Sequence, residues 1–150
     1  MYSGLTTMRA ASLRRYEDAE ALLSAERWLG ARYLYGYWVE VTLKVRLMEV
    51  YGVDKLEDLN PVLGKRFALK EDPQLHRTHS VSWITAFHPG FIRLRDTMQL
   101  RKGESELLRR LNLVARWSSE LRYSPNPSSR AEAESFKEAA QVVVNFSRNF

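Results

Sequence analysis

The stretch GARYLYGYWVEVTLKVRLMEVYG, from Gly30 to Gly52, is apolar almost all the way round a helix, and this limits what the chain can fold into more than any other feature. Tyr33, Tyr35, Tyr37 and Trp38 fall within six residues of it, yet Glu40 and Lys44 sit in its middle. With Tyr33 placed at 0° and about 100° per residue, Gly36, Tyr37, Glu40, Leu43, Lys44, Leu47, Met48 and Tyr51 lie within about 80° of it. Tyr35, Thr42, Arg46 and Glu49 fall on the opposite side and form the only strip expected to be wet. A helix apolar nearly all round is a central one, covered by neighbours on several sides. Glu40 then points inward. Because a buried, unpaired carboxylate costs several kcal/mol, it needs a partner. Lys44, four residues on and in the better orientation for such a pair, is the first candidate.

The remaining helices must wrap this one. Leu13, Tyr16, Ala19, Leu22 and Leu23 recur at helical spacing and predict a first helix over Ser12 to Trp28. The central helix is expected over about Ala31 to Tyr51, with Gly52 as its stop. Residues 52–73 hold two prolines and two glycines and read mostly as loop, with one short turn at Asp54 to Leu59. Asp72 as N-cap and Pro73 at the first helical position open a third helix ending near His88-Pro89. A fourth helical stretch, Phe91 to Tyr123, is expected to break or kink at Gly103. SPNPSS is a loop, and Ser129 with Glu132 forms a capping box for a last helix from Arg130 almost to the end. No strand-type alternation or repeat is present. The expected fold is all-α: one domain, an up-and-down bundle of four to five helices, with its core over about residues 12–149.

Two further helical faces bear on Glu40. With Glu104 at 0°, the apolar arc of its helix collects Leu107, Leu108, Leu111, Val114, Ala115 and Leu121. Arg122 falls inside that arc, while Arg109, Arg116 and Glu120 lie outside it. The wheel therefore predicts an inward arginine that lies near Glu40 or shares a polar pocket with it. His76 and His79 lie on the same predicted helix side as Trp83 and Phe87 and add inward polar groups. A buried polar network that only fixes helix register is the plain alternative.

Composition excludes some chemistry. The chain of 150 residues has no cysteine, so it has no disulfide, thiol nucleophile or cysteine metal site. No P-loop, H-E-x-x-H, G-x-S-x-G or acidic metal cluster appears, so no metal is expected. The N-terminus does not read as a signal peptide, and no run nears the roughly 18 apolar residues of a membrane span. A cytoplasmic protein without a membrane partner is expected. The formal net charge of +5 is concentrated between Phe91 and Trp117. That segment has Arg93, Arg95, Arg101, Lys102, Arg109, Arg110 and Arg116, against Asp96, Glu104 and Glu106. Arg109 and Arg116 are candidates for phosphate contacts on RNA or a nucleotide, with stacking from Trp117 or Trp38 if exposed. A solvated helix surface is the alternative.

ERWLGARYLYGYWVEVTLK resembles the signature of the HEPN family, the higher eukaryote and prokaryote nucleotide-binding domains. Ala31, Tyr33, Leu34, Gly36, Tyr37, Glu40, Leu43 and Lys44 match the family pattern A-x-Y-L-x-G-Y-x-x-E-x-x-L-K position by position. DAEALL, from Asp18, is similar to the preceding acidic-leucine helix. THSVSWI resembles the H-D-L-x-x-L segment, with His79 in the histidine place and Ser80 where aspartate is usual. RWSSELRY resembles the W-x4-R-Y block that carries Arg122 and Tyr123. The similarity runs from about Asp18 to Val144.

The resemblance implies a four- to five-helix bundle, a homodimer expected to form through the last two helices, and a binding site around Tyr37, Glu40, Lys44, His79, Arg122 and Tyr123. Family members include ribonuclease toxins of toxin–antitoxin and phage-defence systems, and nucleotide-binding modules beside nucleotidyltransferases. The ribonucleases place a histidine after an arginine with four to six residues between the two. The arginine holds the scissile phosphate and the histidine moves the proton. After Arg122 those positions are Pro127, Ser128 and Ser129. The expected function is therefore a nucleotide- or RNA-associated binding or accessory module rather than an enzyme. It needs no cofactor beyond a nucleotide, and has a nucleotidyltransferase-type partner. The alternatives are a metal-independent endoribonuclease using Arg122 and His79, and a structural dimerisation domain.

Overall fold

The computed structural model describes residues 4–101 and 105–149, of which the α-helices are α1 (Leu5–Ser24), α2 (Trp28–Tyr51), α3 (Leu56–Arg66), α4 (Val81–Thr85), α5 (Pro89–Arg101), α6 (Glu106–Ala115) and α7 (Arg130–Ser147). A 3-10 turn covers Ser119–Tyr123. The fold is all-α, with no strand among the described residues and one isolated bridge between Gly4 and Lys55. No helix among them is long and apolar enough to cross a membrane.

Contacts between side chains give the helix directions. Ser12 pairs with Thr42, Tyr16 with Trp38 and Glu20 with Tyr35, so α1 runs antiparallel to α2. Arg32 meets Ser128 and Glu132 at one end of α7, and Arg46 donates to the Ser147 carbonyl at the other, so α7 runs parallel to α2. Arg110 on α6 reaches Glu138 on α7, while Leu113 lies beside Ala131 and Phe136, so this pair is antiparallel. The four longest-range partners thus alternate in direction along the chain. The helix α2 is central, as its composition predicts: α1, α7, α3, α4 and the 3-10 turn all pack on it.

Two parts of α2 depart from the helical wheel. It begins at Trp28, because α1 stops at Ser24 and Glu26 turns the chain with φ 60°. The strip expected to be wet is mostly covered. Tyr35 is fully buried and donates to Glu20, and Thr42 is buried against Ser12. A helix covered from both sides by α1 and α7 has no broad wet face left, so its polar groups are satisfied by side chains instead of water.

The region of residues 52–88 differs most from expectation. Residues 56–66, read as loop, form α3 with Pro61 inside it. Leu56, Leu59, Asn60, Leu63 and Gly64 make one buried face, and that burial outweighs the proline and glycine penalties. The helix predicted from Asp72 to His88 is limited to α4, capped by Ser80. Its upstream residues are held by side chains rather than by i→i+4 bonds. Asn60 Oδ1 accepts from the Leu75 amide at 2.7 Å, Asn60 Nδ2 meets the His76 ring at 2.8 Å, and Trp83 Nε1 donates to the Pro73 carbonyl. The Asp72 side chain lies on Gly64, where a Cβ would come within 2.3 Å of Oδ1.

Downstream, α5 opens at Pro89 and ends at Arg101, and α6 restarts behind the Ser105 cap. The helix expected from Phe91 to Tyr123 is therefore three elements; Lys102, Gly103 and Glu104 lie outside the described residues. The Ser129–Glu132 capping box and α7 are as predicted.

His88 joins α5 to the end of α7. It is buried, its Nε2 lies 3.2 Å from the Ser147 carbonyl, and the Gly90 amide donates to its Nδ1 at 3.1 Å. A carbonyl can only accept and an amide only donate, so the ring is neutral with its proton on Nε2. Burial, with Arg46 adding to it, holds the His88 pKa below the ordinary value. Because the folded value is the lower one, the unfolded chain binds the proton more readily. This contribution to stability is present above the ordinary histidine pKa of about 6.5 and is lost as the pH falls through and below it. The denaturant midpoint should drop between pH 7.5 and 5.5, and His88→Gln should flatten that slope, both measured by urea titration.

Candidate functional site

The site is built on one face of α2. Glu40 and Lys44, one turn apart, are 4% and 5% exposed. Lys44 Nζ lies 3.4 Å from Glu40 Oε2 and donates to the Thr78 carbonyl at 2.7 Å. The other carboxylate oxygen, Oε1, receives His79 Nδ1 at 2.6 Å. The 67–80 segment, held down by Asn60 and Trp83, carries both Thr78 and His79 onto α2. Burial pushes the Lys44 pKa down, and the Glu40 carboxylate opposes that. One buried carboxylate thus serves two potential cations, one sealed in and one half exposed.

His79 leads outward along a row of rings. Its side chain is 50% exposed, and its ring stands edge-on to Tyr37 with centroids 5.9 Å apart. Tyr37 packs on Tyr33 at 5.0 Å and on Trp117 at 5.0 Å. Burial first, then the hydrogen bond with Tyr33, pushes the Tyr37 pKa up to about 12, while Arg122 works against that rise. Tyr37 is therefore neutral at physiological pH. Arg122 Nη1 reaches the Tyr33 hydroxyl at 3.5 Å, and its guanidinium lies 4.7 Å from the ring of Tyr123, which is 73% exposed.

Gly36 makes the row possible. A Cβ on it would sit 2.1 Å from Trp117 Nε1, so the indole lies directly on the α2 backbone. Trp117 Nε1 is buried and has no hydrogen-bond partner among the described residues.

The sequence-predicted residues sort as follows. Glu40, Lys44 and His79 come together, and Tyr37 joins them to Tyr33, a residue the motif matched but the candidate set omitted. Arg122 does not enter the Glu40 pocket as predicted. It is exposed and connects to Glu40 only through Tyr33, Tyr37 and His79. The reason is that α6 ends at Ala115 and Ser118 caps a new 3-10 turn, so the angular phase of the α6 wheel does not continue to residue 122. His76 is bonded to Asn60, away from His79, because no helix holds the two on one face.

The basic segment is not one patch. Arg93 and Arg95 are on α5, where Arg95 donates to Thr85 Oγ1, and Arg101 ends that helix, whereas Arg109 and Arg110 are on α6 and Arg116 directly follows it. There Arg109 is paired with Glu106, and Arg110 with both Glu106 and Glu138. Arg116 is exposed and has no partner among the described residues. Trp117 and Trp38, considered as exposed stacking groups, are 6% and 7% exposed and serve as core. The exposed aromatic beside an arginine is Tyr123 instead.

Chemically, the arrangement offers a cation and a stacking ring at one end and an oriented imidazole at the other. Among the described residues, no three His, Asp or Glu side chains converge in a way that could hold a metal ion. Comparison of the chain with family models, with curated proteins and with solved structures finds no match in any of the three.

Proposed function

We propose that this chain is a HEPN-like module that binds single-stranded RNA, with nucleotides as its smallest ligands, along the strip Arg122–Tyr123–Tyr33–Tyr37–His79. The observation that supports this most is the exposed Arg122–Tyr123 stack, continued by Tyr33 and Tyr37 to a half-exposed histidine. Arginine supplies charge for a phosphate, and an exposed tyrosine offers a face on which a base can stack. In this reading the module acts beside a partner, of nucleotidyltransferase type, in a toxin–antitoxin or phage-defence setting, and forms homodimers.

The test is fluorescence anisotropy with a labelled single-stranded RNA over a salt series. Arg122→Ala and Tyr123→Ala should each weaken binding about tenfold, within the usual worth of one stacked base. Arg122→Ala should also flatten the salt slope by about 0.7 for a single lost phosphate contact. Wild-type affinity in both variants would remove the reading.

One observation favours the alternative of an endoribonuclease. Glu40 holds His79 by Nδ1, and Nε2 has no partner among the described residues, which is how an oriented general base is presented. Cleavage in the presence of chelator, abolished by both His79→Ala and Arg122→Ala, would establish it. Intact RNA at stoichiometric protein would rule it out.

A further inference from the structure

We propose that α1 is a self-association surface, on which a second copy of the chain docks antiparallel about a twofold axis. This surface is separate from the strip around Arg122 and does not depend on the RNA reading. It also differs from an interface through the last two helices.

The first observation is the outward face of α1. Leu13 is 59% exposed, the most exposed large aliphatic side chain among the described residues. Above and below it on the exposed side stand Ala10 and Ala21, small enough to let another helix approach closely. Charge divides the helix into halves. Arg9, Arg14 and Arg15 come first and Glu17 and Asp18 follow, while Glu20 is turned inward to Tyr35 and Lys137. Arg14 and Glu17, both exposed, have no partner among the described residues. A parallel copy would set like charges against like. An antiparallel copy sets each basic half against an acidic one, with Leu13 near the crossing point. A twofold interface requires this kind of pattern, because whatever one residue meets, its counterpart must meet in return.

The second observation comes from other elements. A groove of about 790 Å³ runs beside α1, floored by Trp38, Thr42 and Val45 of α2 and closed on its far side by α7. At the end where α1 begins and α2 and α7 finish, it is edged by Arg9, Arg46 and Arg148, with Glu49 as the one acid lining it. An antiparallel partner helix brings its acidic half, Glu17 and Asp18, to that same end. The charge order within α1 and the charge placement around the groove therefore select the same orientation. Exposed ion pairs are individually weak, so here they fix direction and partner, while Leu13, the alanines and the groove wall supply the contact area.

The test uses the full chain and reads mass by sedimentation velocity over a low- to high-micromolar series. Wild type should shift from monomer to dimer, and Leu13→Glu should remain monomeric. Arg14→Glu with Arg15→Glu leaves Arg9 as the one base on α1, and Glu17→Arg with Asp18→Arg leaves Glu20 as its one acid. Each of these should self-associate at least about tenfold more weakly than wild type, yet the two mixed should form a heterodimer. Circular dichroism of each variant separates lost association from lost folding. The absence of cysteine allows a second readout: Leu13→Cys should be joined to its copy by a short thiol crosslinker. A wild type that stays monomeric would overturn the proposal. So would a dimer insensitive to all three α1 variants, as expected for an interface on α6 and α7, or charge-reversed variants that fail to associate on mixing.

Discussion

Glu40→Ala should destabilise the protein by about 3 kcal/mol or more, the largest effect expected of any single change at the site. The substitution removes the carboxylate that faces both Lys44 and His79, and leaves the Lys44 ammonium buried with only the Thr78 carbonyl. A buried cation without its counterion costs several kcal/mol, but a lysine can limit the loss by releasing its proton. In the variant the Lys44 pKa, already lowered by burial, should fall further because nothing opposes the desolvation. The sign follows from linkage. A folded pKa below the unfolded one means that the unfolded chain binds more protons, so stability rises with pH. The deficit of Glu40→Ala against wild type should therefore be larger at pH 7 than at pH 9, measured by urea titration. Adding Lys44→Met should recover part of the loss at pH 7, since a buried pair replaced by apolar groups can be nearly neutral. A midpoint unchanged from wild type would mean that Glu40 does not hold the 67–80 segment.

Gly36→Ala should destabilise by about 2 kcal/mol, although alanine is the better helix former by about 1 kcal/mol. The new Cβ would fall 2.1 Å from Trp117 Nε1 and 2.2 Å from Trp117 Cδ1, distances no real contact reaches. Either α2 or the whole indole must move. Trp117 also touches Tyr33 and Tyr37, so its displacement would disturb the ring row between Arg122 and His79. The same variant should therefore weaken RNA binding as well as lower the thermal midpoint. Trp117→Leu in the Gly36→Ala background should cost less than in wild type, because there the indole is already displaced and its removal also relieves the clash. Additive losses would mean that the two residues do not meet.

The parts of the site that sequence made legible are those set within one helix. Glu40 and Lys44 share a face by helical geometry alone, and the surrounding aromatics require that face to be buried, so an inward ion pair could be read from spacing. The capping box at Ser129 and the stop at Gly52 are equally local: each is one residue's side chain or backbone freedom acting on its immediate neighbours. Arg122 marks the limit of that logic. Its predicted inward direction assumed an unbroken helix, and a cap at Ser118 ended the phase relation a few residues before it.

Residues 56–80 were illegible for a different reason. Proline and glycine in α3 signal loop locally, but Leu56, Leu59 and Leu63 gain more by covering α2 than the breakers lose. Asn60 then bonds to the Leu75 amide and the His76 ring, so the next segment has its polar groups satisfied without forming a helix. His79 reaches Glu40 only through that chain of contacts.

By itself, then, the sequence determined that α2 would be the buried centre of an all-helical chain and that Glu40 and Lys44 would face inward together. Tertiary structure decided which third group completed them, where Arg122 ended, and that the strip opposite Glu40 would be covered by α1 and α7. The physical reason is range. Periodicity and capping act over one or two turns of a single helix, whereas the partner of a buried charge is chosen by whichever distant segment finds its own hydrogen bonds while reaching it.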